Sequence, residues 1–175
     1  DVTMDVLFTN TWYDPTIERQ AAIALLDRGV DVLAQHQDTT NPVAAAEERG
    51  VWACGYNADM TEAGPNAHLT APIWDWGAYL TDAVQKVIDG TWTSENVLMG
   101  MSEGMVDISP LTKNVAEGTA EAVEAARASI LDGSFGVFVG PIYDNEGTLR
   151  VEEGQTLTPE EILAIDWFVE GITIV

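Results

Sequence analysis

Through its first half the chain alternates short apolar runs with stretches of helical period. Met4-Asp5-Val6-Leu7-Phe8 reads as a strand. Asp14-Pro15 then opens a helix, with Asp14 as N-cap and Pro15 at the first helical position, where a missing N–H is harmless. Its apolar stripe is Ile17, Ala21, Ala24 and Leu25, and Gly29 stops it. Val30 to Ala34 is the next strand. Asn41-Pro42 starts a second helix in the same manner, Gly50 ends it, and Val51 to Gly55 is a third strand. Strand, helix, strand, helix, strand at this spacing predicts an α/β fold with a parallel sheet flanked by helices and right-handed crossovers.

Farther on the pattern loosens. Asn57 to Pro72 reads as a polar loop with Gly and Pro. A third helix is predicted from about Asp75 to Asp89, with Trp76, Leu80, Ala83, Val84 and Val87 on one face. Val106-Asp107-Ile108 is a short strand, and Ala116 to Asp132 is a helix rich in alanine and glutamate. Phe135 to Val139 reads as a strand, and Asp144-Asn145-Glu146-Gly147 as the turn of a hairpin from Ile142 to Val151. Thr158-Pro159-Glu160-Glu161 is a capping box that starts a last helix, predicted to run through Trp167.

With 175 residues, 46% of them apolar, the chain is long enough for one ordinary domain and too short for two full ones. No stretch approaches the roughly 18 consecutive apolar residues of a membrane span. Asp1-Val2-Thr3-Met4-Asp5 has no basic region followed by an apolar core, so it reads as the lead-in to a strand and not as a signal peptide.

Charge narrows the function. There are 29 acidic and 7 basic residues, a formal net charge of −22, and the only lysines are Lys86 and Lys113. Binding nucleic acid requires clustered cations to displace counterions from phosphates, and none exist here. An anionic membrane surface is disfavoured for the same reason. The acidity reads either as a solvated, self-repelling surface or as adaptation to high salt, which screens such repulsion. The single cysteine, Cys54, sits in an apolar run and reads as a small buried hydrophobe. His36 and His68 stand in no ligand-spaced pattern, so neither a metal nor a cofactor is expected.

In an open parallel sheet, ligands bind beyond the carboxyl ends of the strands. Those ends carry Thr9 to Asp14, Gln35 to Asp38 and Tyr56 to Asp59. Aromatics, amides and carboxylates without a cation suit a neutral or cationic polar ring compound, stacked on an aromatic and held by hydrogen bonds. Each residue also has a simpler reading. Trp12 could be a packing lid, Asp14 reads as an N-cap, and His36 could be a loop residue bonded to the backbone. Asp59 is harder to explain locally, because no helix obviously begins after it. Catalytic templates are missing: no Gly-x-Ser-x-Gly elbow, no phosphate-cradling loop, no His-Glu-x-x-His. Asp14, His36 and Asp38 could form an acid–base cluster, but no constellation is complete, so the reading is a binding protein and not an enzyme.

At these rim residues the chain resembles the basic membrane protein family of purine-nucleoside-receptor-like lipoproteins. The matching stretches are Asn10 to Pro15, Ala34 to Asp38, Gly55 to Met60, His68 to Gly77, Gly140 to Ile142 and Asp166 to Gly171, in the family's order. The resemblance implies a type I periplasmic-binding-protein-like fold of two α/β lobes that enclose a ligand. It implies a protein held outside the membrane, periplasmic or at the cell surface, lipid-anchored in its full-length form and feeding an ABC permease. Residues 1–109 would form the second lobe, 110–140 a return segment of the first, and 141–175 a crossing hairpin and helix. The opening part of the first, N-terminal lobe would lie outside this sequence.

The expected ligand-binding set is Trp12, His36, Asp38, Asn57, Asp59 and Trp74, with His36 and Asp38 taken from the strand ends and the other four placed by the resemblance. Trp12 falls where the family carries an aromatic that stacks on the base. Asn57 and Asp59 fall on its Asp-x-Asp-like loop, with Asn57 replacing the first acid. Trp74 falls where many members carry a lysine. The expected function is capture of a purine base or nucleoside for import, and the loss of that lysine leaves room for a free base such as adenine or another flat heterocycle. The rival reading is an enzyme or ligand-sensing domain on the same scaffold.

Overall fold

The computed structural model describes residues 2–175. Asp1, the first residue of the predicted lead-in, lies outside them. In chain order the first elements are β1 (Met4–Val6), α1 (Pro15–Asp27), β2 (Val32–Ala34), α2 (Asn41–Arg49) and β3 (Trp52–Cys54). A one-turn 3-10 helix at Thr61–Ala63 precedes β4 (His68–Thr70), β5 (Pro72–Trp74), α3 (Gly77–Ile88) and β6 (Val106–Ile108). Then come α4 (Thr119–Leu131), β7 (Ile142–Tyr143), β8 (Leu149–Val151), α5 (Pro159–Leu163) and β9 (Ile172–Ile174). The chain forms two compact units. One is Thr9–Ala120; the other joins the segment ending at Phe8 to Glu121–Val175.

In the Thr9–Ala120 unit, β2, β3 and β4 form a parallel sheet in that order, with Leu33 opposite Ala53. The crossover helix α2 packs on it and on α1. Between these layers lies the core: Ala22, Leu26, Leu33, Val43, Ala45, Ala46, Ala53, Met60 and Ala67. Burying a Leu or Val side chain contributes roughly 1.5–3 kcal/mol, so small residues bring the layers close and a few large ones supply most of the apolar gain. Gly50 takes the left-handed conformation, φ 68°, and ends α2 as expected.

Several expectations are corrected here. The buried face of α1 is Glu18, Ala22 and Leu26, not the stripe through Ile17 and Ala24, both of which are exposed. A count of apolar periodicity passes over a buried glutamate. Helix α2 begins at Asn41 itself; Thr40 precedes it without a side-chain cap, and the Thr39 hydroxyl accepts from the Asn41 N–H at 3.3 Å. The loop predicted from Asn57 to Pro72 holds β4, three residues long and paired with β3. β6 is a strand as predicted, but it runs antiparallel to β5, with Trp74 opposite Val106. Helix α3 forms, yet Trp76, Leu80, Val84 and Val87 are exposed. Its apolar face has the predicted period, but burial also needs an opposing layer.

In the other unit, β1 pairs in parallel with β9, Met4 opposite Ile172 and Val6 opposite Ile174. The predicted sheet joining β1 to β2 and β3 is thus corrected: the partner of β1 is the last strand of the chain. Phe135–Val139 is not a strand; only Val139 makes an isolated bridge, to Thr156. The hairpin of β7 and β8 is present. Its turn is organised by Asp144, whose buried carboxylate accepts from the Glu146 N–H (2.9 Å), the Thr148 N–H (2.8 Å) and Arg150 Nε (2.6 Å). The Thr158 capping box closes in both directions: Thr158 accepts from the Glu161 N–H at 3.2 Å and Glu161 from the Thr158 N–H at 2.8 Å. Helix α5 stops at Leu163, short of the predicted Trp167. The backbone beyond it is drawn onto the hairpin, with Asn145 N–H donating to Phe168 O at 2.8 Å and Glu170 N–H to Tyr143 O at 3.0 Å.

Candidate ligand-binding rim

Three loops at the carboxyl side of the strands converge within the Thr9–Ala120 unit. The first, Thr9 to Asp14, ends in a helix cap. Asp14 Oδ1 accepts from the N–H groups of Thr16 and Ile17, each at 3.0 Å, which gives Asp14 the structural role expected of it. The second, Gln35 to Thr39, is folded back on itself by Gln35 Nε2, which donates to Gln37 O (2.8 Å) and Thr39 O (2.7 Å). Two bonds tie these loops together: Asp38 N–H to Trp12 O at 3.1 Å and Gln37 Nε2 to Thr9 Oγ1 at 2.6 Å.

Glu18 anchors both loops from below. The residue is 1% exposed. Oε1 accepts from the Asp14 N–H at 3.0 Å, while Oε2 accepts from the Thr39 N–H at 3.1 Å and the Thr39 hydroxyl at 2.5 Å. A buried charge is tolerated when its lone pairs are occupied in this way. Sequence reasoning missed Glu18, and no local signal identifies it.

On this frame the rim side chains form a connected set. The rings of Trp12 and His36 meet edge to face, centroids 5.4 Å apart. His36 lies 4.3 Å from Tyr56, with Nε2 2.9 Å from the tyrosine hydroxyl, and Tyr56 meets Trp74 edge to face at 6.3 Å. Beside this row, Asn57 Nδ2 donates to Asp38 Oδ1 at 3.1 Å, and the indole N–H of Trp74 donates to Asn57 Oδ1. Trp12, His36, Asp38, Asn57 and Trp74 are therefore brought together. Tyr56, not among the predicted ligand residues, stands at the centre of the row. Its place directly after β3 was the available signal.

Asp59 is not brought to this set. Its Oδ1 accepts from the Thr61 N–H (2.9 Å) and hydroxyl (2.5 Å), where the 3-10 turn begins. The expectation that no helix follows Asp59 is thus corrected. These bonds to Thr61 hold its carboxyl below the usual range. The same hydroxyl lies 3.1 Å from Nδ1 of His68, a fully buried residue of β4.

Burial pushes the His68 imidazole below its usual pKa, against the opposing pull of the Asp59 carboxylate. The folded state therefore resists protonation more than the unfolded chain does. Stability is fully present above the unfolded value of about 6.5 and is lost as pH falls below it toward the depressed folded value. Denaturant unfolding between pH 8 and pH 5 is expected to show this loss in the wild type and a smaller one in His68→Asn. Equal slopes for the two proteins would reject the assignment.

Residues 1–135 match the model of the PnrA-like ABC transporter substrate-binding protein family. The chain belongs to this family. Among curated relatives, a purine-binding protein of Brucella abortus is 36% identical over 172 residues, covering 98% of this chain and 49% of the relative. A putative ABC transporter glucose-binding protein of Haloferax volcanii is 35% identical over 146 residues, 83% of this chain and 37% of the relative. The chain thus spans half or less of the length of these relatives.

Solved structures confirm the PnrA-like chain's α/β, solute-binding-protein fold. An ABC transporter solute-binding protein from Conexibacter woesei superimposes with a TM-score of 0.57 at 21% identity, over 73% of this chain and 43% of that one. A transcriptional activator of the comK gene from Bacillus halodurans superimposes with a TM-score of 0.64 at 20% identity, over 72% of this chain and 45% of that one. At these identities the likeness concerns fold alone.

Proposed function

We propose that this chain supplies one side of the ligand site in an extracytoplasmic ABC-importer binding protein, and that its ligand is a purine base or nucleoside. The observation that carries this reading is the row of rings Trp12, His36, Tyr56 and Trp74 beside the Asp38 carboxylate. An aromatic face supports a flat heterocycle, and a carboxylate accepts from a ring N–H or exocyclic amine. The purine-binding relative, which aligns over 98% of this chain, supports the same ligand class. An upstream lobe and an ABC permease are the partners in this reading. Among the described residues no helix is long and apolar enough to cross a membrane. The ligand leaves unchanged, since the role is capture and not conversion.

Titration calorimetry with adenine, adenosine and glucose tests the proposal, on this chain alone and on the chain co-expressed with the upstream lobe. Binding of adenine or adenosine is expected, weaker for the chain alone because it supplies only part of the contacts. Trp12→Ala is expected to weaken it at least tenfold, within the roughly 1–3 kcal/mol that base–aromatic stacking contributes. Binding of glucose alone would overturn the purine assignment, and release of an altered purine would overturn the absence of catalysis.

A further inference from the structure

We infer that Trp74 is a positioning residue: it locks the Asn57 side-chain amide, and through it the Asp38 carboxylate, so that the rim selects uncharged or cationic ring ligands bearing N–H donors and rejects anionic ones. The inference rests on the ring-ligand reading above.

The lock follows from the polarity of three groups. An asparagine amide offers one acceptor oxygen and one NH2 donor group, and the two ends can exchange by a half-turn. Here the donor-only indole N–H of Trp74 faces Asn57 Oδ1, while Asn57 Nδ2 faces the acceptor-only carboxylate of Asp38. A half-turn would set NH2 against the indole N–H and the carbonyl oxygen against the carboxylate, two clashes of like polarity at once. The amide therefore has a single orientation. The backbone reinforces it: Asn57 has φ 69° and makes a bridge to Ile73, the neighbour of Trp74 in β5. Asparagine tolerates that left-handed conformation better than most residues.

With the amide held, Asp38 Oδ1 is occupied by Asn57, which leaves Oδ2 as the carboxylate's other acceptor. Neither lysine nor arginine stands among the rim residues, and four of the unit's cations have partners away from them: Arg19 with Glu48, Arg49 with Asp27, Lys86 with Asp82 and Lys113 with Asn66. A phosphate brought to this rim would meet a carboxylate with no lysine or arginine among the rim residues to offset it, so a nucleotide is disfavoured where the corresponding base is accepted.

The experiment has two independent arms. In the first, 15N-labelled chain without ligand is examined by NMR. Removing the acceptor with Asn57→Ala is expected to shift the Trp74 indole N–H resonance and speed its solvent exchange at least tenfold. Trp74→Phe, which keeps a ring and removes the N–H, is expected to change the Asn57 side-chain NH2 resonances with the melting temperature little altered. An indole resonance indifferent to Asn57→Ala overturns the lock, whatever any ligand does. In the second arm, adenine and AMP are titrated. The wild type is expected to bind adenine at least tenfold more tightly than AMP. Trp74→Phe is expected to lose about tenfold for adenine, and Asp38→Asn to narrow the gap between the two probes. Equal affinity for AMP and adenine, or adenine binding unchanged in Trp74→Phe, overturns the selectivity. Failure of the wild type to bind adenine or adenosine in either preparation sinks the ring-ligand reading and this selectivity with it, while the NMR arm still decides the lock.

Discussion

Glu18→Ala is expected to destabilise the Thr9–Ala120 unit by on the order of 3–5 kcal/mol and to disorder two rim loops together. The Glu18 carboxylate is buried and holds the Asp14 N–H, the Thr39 N–H and the Thr39 hydroxyl. Truncation leaves these donors without their acceptor, at about 1–3 kcal/mol for each that water cannot reach. It also opens a cavity next to Ala22 and Leu26 on the same helix face. For a chain of this size each kcal/mol lowers the melting temperature by roughly 2–4 °C, so a fall of about 6–20 °C is expected. Glu18→Gln keeps the shape and one acceptor oxygen, so its loss should be smaller. Thr39→Val removes the hydroxyl, which donates to Glu18 and accepts from the Asn41 N–H and Nδ2, with a cost of about 1–3 kcal/mol. The measurement is thermal denaturation by circular dichroism, with amide exchange at Thr39 and Asp14 as the local readout. A Glu18→Ala protein that melts within 2 °C of wild type, about 1 kcal/mol or less, would show that the carboxylate is not the anchor.

The second large effect is expected at Gly140. A Cβ added there would fall 2.6 Å from the Val151 carbonyl oxygen and inside the van der Waals surface of the Glu152 carbonyl. Both obstacles are backbone, so no side-chain rotation relieves them. Gly140→Ala must push the strands apart and break the bonds from Gly140 N–H to Gln155 O (2.8 Å) and from Gly154 N–H to Gly140 O (3.3 Å). The cost is on the order of 3 kcal/mol, at the upper end for overpacking because the obstacle is main chain. Gly147→Ala is a control with open space around the new methyl, although its φ of 84° adds some strain. Melting of both variants, with amide exchange along β8, checks the ordering. A Gly140→Ala protein no less stable than Gly147→Ala would contradict the close approach.

Signals carried by a few adjacent residues were legible in the sequence. Asp14 caps α1, Gly50 closes α2 and Thr158 with Glu161 forms the capping box, because each signal requires only neighbours within one helical turn. The rim was legible in outline for a similar reason. The β1, β2 and β3 runs are visible in the residue pattern, and in an open α/β sheet ligands bind beyond the ends of such strands, which singled out Trp12 after β1, His36 and Asp38 after β2, and Tyr56 and Asn57 after β3.

Tertiary structure decided the rest, and each case involves a partner distant along the chain. β1 carries no mark of β9, since either edge of a three-residue strand accepts any extended backbone of matching direction. Helix α5 ends at Leu163 because the hairpin claims the backbone beyond it, although the residues up to Trp167 contain no breaker. Asp59 became a partner of Thr61 once a turn formed there. Glu18 reads as a surface residue on an amphipathic helix. Burial is favourable only because Thr39, from another loop, brings two donors to its carboxylate, and a hydrogen bond between residues so far apart in sequence leaves no trace in local composition.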